Sequence, residues 1–139
     1  MSMPFITDRM IIEYLEEGVK CFTPVIQVID VYPAEDDQVS YGLYVDGVDT
    51  VSRSPFQMAI QKCGSIYTVT DEFEILFVSF QNDPQSDHVQ SLIQKLAQDV
   101  KFFDGYNEVT YTKAQDIGNR SEKHTYTFNM QRTEFNDSH

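Results

Sequence analysis

Residues 65–81 read SIYTVTDEFEILFVSFQ, and this stretch decides the fold class. Phe73 and Phe77 share one parity with other apolar residues, whereas Glu72 and Glu74 share the opposite parity with threonines. Such period-two alternation predicts a β-strand with one buried face. The far end of the stretch is apolar on both parities, so we expect it to enter a sheet that is covered on both faces or packed on a neighbouring subunit.

An amphipathic helix is predicted directly after this strand. The turn NDPQSDH at 82–88 offers Ser86 or Asp87 as the N-cap. Apolar residues then recur at helical spacing and predict a stripe that packs on the sheet. The stripe consists of Val89, Leu92, Ile93, Leu96, Ala97 and Val100.

The N-terminal part of the chain predicts a helix followed by a strand. Thr7 and Asp8 are typical of a helix start, and Gly18 is expected to end the helix. Residues 25–32, VIQVIDVY, are rich in β-branched side chains and lie between two prolines, which predicts a buried strand.

Two hairpins are predicted in the remaining sequence. Strand character at 39–45 runs into Asp46-Gly47, which predicts a hairpin turn within residues 41–51. Residues 48–64 fit either a returning strand that bends at Pro55 and continues extended, or a short helical turn. Near the C-terminus, residues 108–115 and 124–135 alternate and predict a closing antiparallel hairpin.

The element order therefore predicts an α+β fold. We expect a mainly antiparallel sheet with two helices packed on one face and a long protruding hairpin. Residues 1–135 form a single domain in this interpretation, and residues 136–139 form a short polar tail.

The composition limits the classes of function. The 139 residues carry ten Lys and Arg against twenty-two Asp and Glu, a formal net charge of −12. Clustered Lys and Arg supply most of the affinity of proteins for duplex DNA, so we exclude sequence-specific nucleic-acid binding. No segment approaches the roughly 20 apolar residues that cross a bilayer, and no export signal is recognised. We therefore expect a protein that is neither secreted nor bound to a membrane.

No residue pattern predicts catalysis, a cofactor or a metal. His88, His124 and His139 stand in no metal-ligand spacing, and the chain lacks GxSxG, P-loop and GxGxxG motifs. Two carboxylates on one strand face, such as Glu72 and Glu74, are typical of a solvated face rather than of a proton-sharing pair. We expect a non-enzymatic protein without catalytic, cofactor-binding or metal-binding residues.

Acidic residues concentrate in two places. Residues 33–38, PAEDDQ, predict a solvated loop, because a cation site needs staggered oxygen ligands and a turn glycine that this loop lacks. The candidate acidic channel or solvated face consists of Glu35, Asp36, Asp37, Glu72 and Glu74.

The predicted hairpin and the two-sided strand end supply the candidate subunit interface. Tyrosine is enriched where protein surfaces meet, and exposed strand ends need a cover. The candidate interface residues are Tyr41, Tyr44, Val48, Val51, Leu76, Val78 and Phe80.

The order and length of these elements resemble a protein family. The segments that carry the resemblance are TDRMIIEYLEEG at 7–18, TPVIQVIDVYP at 23–33, IYTVTDEFEILFVSF at 66–80 followed by SDHVQSLIQKLAQDV at 86–100, and HTYTFNMQRTEF at 124–135. The chain resembles the tail terminator and tail-completion proteins, the head-tail joining proteins, of long-tailed bacteriophages.

The resemblance implies a virion structural protein that forms a six-fold ring. Such a ring caps the tail tube, joins it to the head connector and contacts other tail or connector proteins through surface complementarity. An acidic wall suits a ring through which DNA slides, because like charge keeps the strand from adhering.

Two other classes remain open on the residues alone. An acidic immunity-type inhibitor would use the same charge of −12 to associate with a basic toxin or nuclease. A small enzyme with an acid-lined pocket would need a constellation of site residues that the sequence does not display.

Overall fold

The structure, a computed structural model, describes residues 2–23, 25–31, 33, 39–60, 65–118 and 120–136. It has the predicted α+β fold, with two helices and a five-stranded, mostly antiparallel sheet. The elements in chain order are α1 (Asp8–Val19), β1 (Val28–Ile29), β2 (Gly42–Ile60), β3 (Ser65–Phe80), α2 (Ser86–Ala97), β4 (Glu108–Ile117) and β5 (Ser121–Asn136).

The strand order across the sheet is β1-β2-β3-β5-β4. β1 runs parallel to β2, and the other neighbouring strands are antiparallel. The apolar parity of β3 faces the two helices, as the alternation predicts: Phe73, Ile75 and Phe77 lie in one core with apolar side chains of α1 and α2. The helices thus cover one face of the sheet.

Local chemistry sets the helix bounds. The Thr7 side chain accepts a hydrogen bond from the Met10 backbone N–H at 3.3 Å, which confirms the predicted cap of α1. The prediction that Gly18 ends the helix is wrong by one residue, since α1 reaches Val19. Gly18 instead allows close helix packing, because a Cβ there would lie 2.5 Å from methyl groups of Leu92 on α2.

The predicted N-cap of α2 is wrong. Gln85 is the N-cap residue and makes no side-chain capping bond, and the helix begins at Ser86. The Asp83 carboxylate binds the chain just before the helix, where it accepts a hydrogen bond from the Gln85 backbone N–H at 3.0 Å.

The predicted hairpin turn at Asp46-Gly47 is also wrong. β2 continues through this dipeptide to Ile60, and its pairing with β3 shifts by one residue between Asp46 and Asp49. A Cβ on Gly47 would lie 2.7 Å from the Asp8 carboxylate, and the Val48 backbone N–H donates to Asp8 Oδ1 at 2.8 Å. The glycine therefore serves a β-bulge that docks on α1. The long hairpin is formed by β2 and β3.

The predicted buried strand at 25–32 is reduced to β1, whose two residues are half-buried. Val25 and Val31 are exposed, so β-branched composition overestimated the strand. Ile29 joins a small apolar cluster on the sheet face opposite the helices. The closing hairpin of β4 and β5 is confirmed, and its second strand extends to Asn136, the first residue of the predicted tail. Residues 137–139 lie outside the described residues.

Candidate functional site

Four carboxylates lie in two directly opposed pairs on the sheet face away from the helices. In the register of β2 and β3, Asp46 is opposite Glu74, and Asp49 is opposite Glu72. Both aspartates are exposed and both glutamates are half-buried. Like charges placed directly opposite each other destabilise an antiparallel pair, so this face, which we call the acidic face, costs stability in the isolated chain.

The rest of this face is polar and uncharged around the glutamates. Glu74 is opposite Thr127 of β5, which in turn is opposite Thr112 of β4. The Thr127 hydroxyl donates to Glu74 Oε1 at 3.1 Å, while Glu72 is opposite Asn129. The result is a continuous hydroxyl, amide and carboxylate surface across four strands.

Sequence reasoning placed only part of the acidic face. It put Glu72 and Glu74 together, as the structure does. It missed Asp46 and Asp49, because a turn at Asp46-Gly47 would have carried both away from the sheet. The other predicted acids, Glu35, Asp36 and Asp37, lie outside the described residues.

The seven candidate interface residues divide into three groups. Tyr44, Leu76 and Val78 are buried in the small cluster with Ile29 and Val39, so the chain itself covers them. This is the two-sided cover expected of the end of β3, and it removes these three residues from the free surface.

Tyr41 and Val48 are only half-buried and pack against the main core. The Tyr41 ring contacts Phe77 and Phe80, and burial beside Asp83 raises the pKa of its hydroxyl to about 12. Val51 and Phe80 remain accessible, at 51% and 43% exposed. Of the candidate interface, these two side chains are available to a partner.

The outer edge of β2 is protected along much of its length. β1 pairs with Leu43 and Tyr44, and Asp8 binds the N–H of Val48. The register then shifts again between Thr50 and Ser52, which marks a second bulge. Short cover strands and bulges are devices that prevent edge-to-edge pairing.

The outer edge of β4 lacks such protection. Its ten residues pair with β5 in an unbroken register, and nine of them are exposed. The strand contains no proline, and its one lysine, Lys113, turns toward α2, where its ammonium contacts Gln90. Within the described residues, β4 has no second strand neighbour, so this edge offers free backbone groups to an added strand.

A buried ion pair on the helix-covered face escaped sequence reasoning. Arg132 Nε donates to Asp71 Oδ2 at 2.7 Å, and both side chains are at most 1% exposed. The Tyr106 and Thr50 hydroxyls also donate to the Asp71 carboxylate, each at 2.7 Å. The available signal was positional, since an acid and a base each occupy the apolar parity of an alternating strand.

A second ion pair extends this network toward the surface. Arg53 and Glu134 approach to 2.7 Å, and the Arg53 guanidinium lies 3.7 Å from the centre of the Tyr67 ring. Hydrogen bonds from Ser2 and Arg53 lower the pKa of Glu134 to about 2. Each guanidinium is matched by one carboxylate, so the network ties the N-terminal segment to the sheet and leaves no surplus charge for a ligand.

His124 is buried on the core side of β5, next to Phe77 of β3. Its ring stacks on Phe77 with centroids 5.9 Å apart, and Nε2 lies 3.4 Å from Glu122 Oε2. Burial and the nearby Lys113 lower the pKa of the imidazole. With 2% exposure, the ring is inaccessible to a substrate.

Among the residues that the structure describes, no three His, Cys, Asp or Glu side chains are grouped so as to hold a metal ion. No described helix is long and apolar enough to span a membrane.

No family model matches the chain, and no curated protein matches it significantly.

Proposed function

We propose that this chain is a non-enzymatic virion protein, a tail terminator or neck subunit that joins the tail tube of a long-tailed bacteriophage to the head connector. Copies of the chain form a ring, six-fold by the resemblance in element order, and the ring contacts other tail and connector proteins. The protein acts through surface complementarity.

One observation carries the proposal, namely the arrangement of charge on the sheet. Asp46, Asp49, Glu72 and Glu74 lie together on the face that the helices leave uncovered. Turned toward the centre of a ring, this face lines a passage with negative charge and hydroxyl groups. DNA that moves through such a passage is repelled from the wall and does not adhere.

Electron microscopy of the purified chain, combined with a charge-reversal variant, tests the proposal. We expect uniform rings with a central opening that do not retain duplex DNA. The variant Glu72→Lys with Glu74→Lys should form rings that retain DNA, because two negative charges per subunit become two positive charges in the passage, a change of four charge units. The matched control Glu16→Lys with Asp87→Lys, at exposed helix positions, makes the same net change away from the acidic face.

Equal DNA retention by the two variants would contradict the placement of the acidic face in the passage. A wild-type chain that forms no rings at any concentration would contradict the ring itself.

The second candidate function is an acidic inhibitor of a basic toxin or nuclease. The same four carboxylates favour it, because an open acidic face steers association with a positive partner. In this alternative the free protein is a monomer, and Glu72→Lys with Glu74→Lys abolishes capture of the basic partner. Dependence of binding on salt separates the two functions, because salt weakens attraction to a basic partner and weakens repulsion between copies of this chain.

A further inference from the structure

The β2–β3 hairpin contains the longest stretch of the chain without an acid. Residues 50–70 carry Arg53 and Lys62 and no Asp or Glu, in a protein whose formal charge is −12. Arg53 is paired with Glu134, so the described surface here is close to neutral. Copies of a strongly acidic chain repel each other, and their contact costs least where one side carries no acid.

Exposed apolar side chains accompany this stretch. Val51 and Phe56 are 51% and 50% exposed, and Phe135 of β5, opposite Ile66, is 72% exposed. We call residues 51–56 of β2 and 66–70 of β3 the arm. The arm thus combines the exposed apolar side chains Val51 and Phe56 with the absence of acids.

The matching feature is the open edge of β4. It is regular over ten residues, exposed on both faces and flanked by the acids Glu108 and Asp116. Its apolar side chains Tyr111 and Ile117 are also exposed. The arm contains Pro55, which has no N–H, and follows the bulge between Thr50 and Ser52, so it fits this edge through exposed apolar side chains rather than through a continuous backbone ladder.

We propose that the arm of one copy docks along the β4 edge of the next copy. The inference rests on the proposed ring and names its contact. Arm and edge are different surfaces at different sites of the sheet, so the contact is heterologous, and a pair of copies keeps one free arm on one copy and one free edge on the other. Repetition of a heterologous contact closes into a ring where the rotation permits.

Pairing of β4 with the β4 of a second copy is the competing arrangement. It would bring two acidic edges and two acidic faces side by side, with the aligned register placing Glu108 of one copy near Asp116 of the other. Like-charge juxtaposition of this kind opposes association. The arm avoids it.

A double-mutant cycle in the full chain tests the contact. Ser54→Glu adds an acid to the arm, and Thr112→Lys adds a cation to the edge; both positions are exposed and lie on the same face of the sheet as Glu74. At about 0.15 M salt, each single change should weaken association by about tenfold or more, whereas the double variant should restore it, because the new charges are complementary.

The sign of the Thr112→Lys effect is decisive. The substitution changes the formal net charge of the subunit from −12 to −11, so it should strengthen association if only net charge mattered. Gln98→Lys, at an exposed site after α2, is the matched control and should not weaken association. Sedimentation equilibrium measures association, and thermal unfolding verifies that each variant is folded.

Each other outcome overturns the inference in a distinguishable way. Rings that respond to neither change refute this contact and leave the proposed function intact. Weakening by Thr112→Lys together with no effect of Ser54→Glu means that β4 edges pair with each other. A wild-type chain that stays monomeric refutes both the contact and the proposed ring.

Discussion

At the scale of single residues, the buried Arg132–Asp71 pair imposes the strictest requirement on the chain. A charge removed from water is stabilised only by a close partner and by hydrogen bonds to its remaining polar atoms. Asp71 has both, since Arg132, Tyr106 and Thr50 all donate to it. The loss of one partner leaves the other as an uncompensated buried charge.

Arg132→Leu should therefore lower the free energy of unfolding by about 3–5 kcal/mol, the usual cost of breaking a buried pair. The double variant Arg132→Leu with Asp71→Leu should lose less than the single variant, because no unpaired charge remains. Urea unfolding of both variants measures the difference. A double variant that is less stable than Arg132→Leu would contradict this account of the network.

His124 predicts a pH dependence of stability. The imidazole titrates near 6.5 in the unfolded chain, and burial together with Lys113 lowers its pKa in the folded chain. The unfolded state therefore binds more protons, so the stabilising contribution is complete above about pH 6.5 and is lost as the pH falls through the folded pKa. Glu122, which faces the same ring, partly opposes this shift.

Urea unfolding between pH 7.5 and 5.5 tests the role of His124. Wild type should lose stability over this interval, and His124→Gln should lose less. Glu134 contributes at lower pH only, because its pKa falls from 4.5 to about 2 on folding and its stabilising effect is lost between those values as pH decreases. An identical pH slope for wild type and His124→Gln would contradict the assignment.

At the scale of elements, α2 is the clearest link between sequence and packing. Val89, Ile93 and Leu96 are fully buried against the sheet, as the apolar stripe predicts, whereas the predicted stripe residue Val100 lies beyond the helix and is 81% exposed. Leu92 belongs to the same stripe but is only half-buried. It lies at the edge of the core, where it packs against Gly18 of α1. Truncation of Leu92 and of Leu96 should therefore lower the free energy of unfolding by different amounts.

Leu96→Ala should lower the free energy of unfolding by about 2–5 kcal/mol, the range for a fully buried leucine. Leu92→Ala should cost less, and Gln94→Ala, at an exposed site of α2, should stay within about 0.5 kcal/mol of wild type. Denaturant titration measures all three. Equal losses at positions 92 and 96 would contradict the difference in burial.

The elements also mark where sequence reasoning reaches its limit. Period-two alternation placed β3, β4 and β5, and helical periodicity placed α2, because those patterns reflect burial of one face. The bulge at Gly47 was read as a turn, since the contact with Asp8 that explains this glycine lies 40 residues away in the sequence. The sequence-based prediction of the acidic face is incomplete for the same reason, because it lacks Asp46 and Asp49. The four carboxylates of this face meet only through the register of β2 and β3.

At the scale of the whole molecule, assembly is a competition between long-range repulsion and local contact. Each subunit carries a formal charge of −12, so copies repel at low ionic strength. Salt screens this repulsion, with a Debye length of about 10 Å at 0.1 M. Contacts at an exposed strand edge and its apolar partners are short-ranged and survive screening. Binding of an acidic inhibitor to a basic partner has the opposite dependence, because salt screens an attraction.

Sedimentation velocity of the purified chain across a salt series tests the ring most directly. The account predicts a subunit that is monomeric in dilute buffer and assembles into a closed species of defined mass, with six copies as the expected number, as the ionic strength rises. A protein that remains monomeric at high concentration and high salt would contradict the ring and favour the acidic inhibitor.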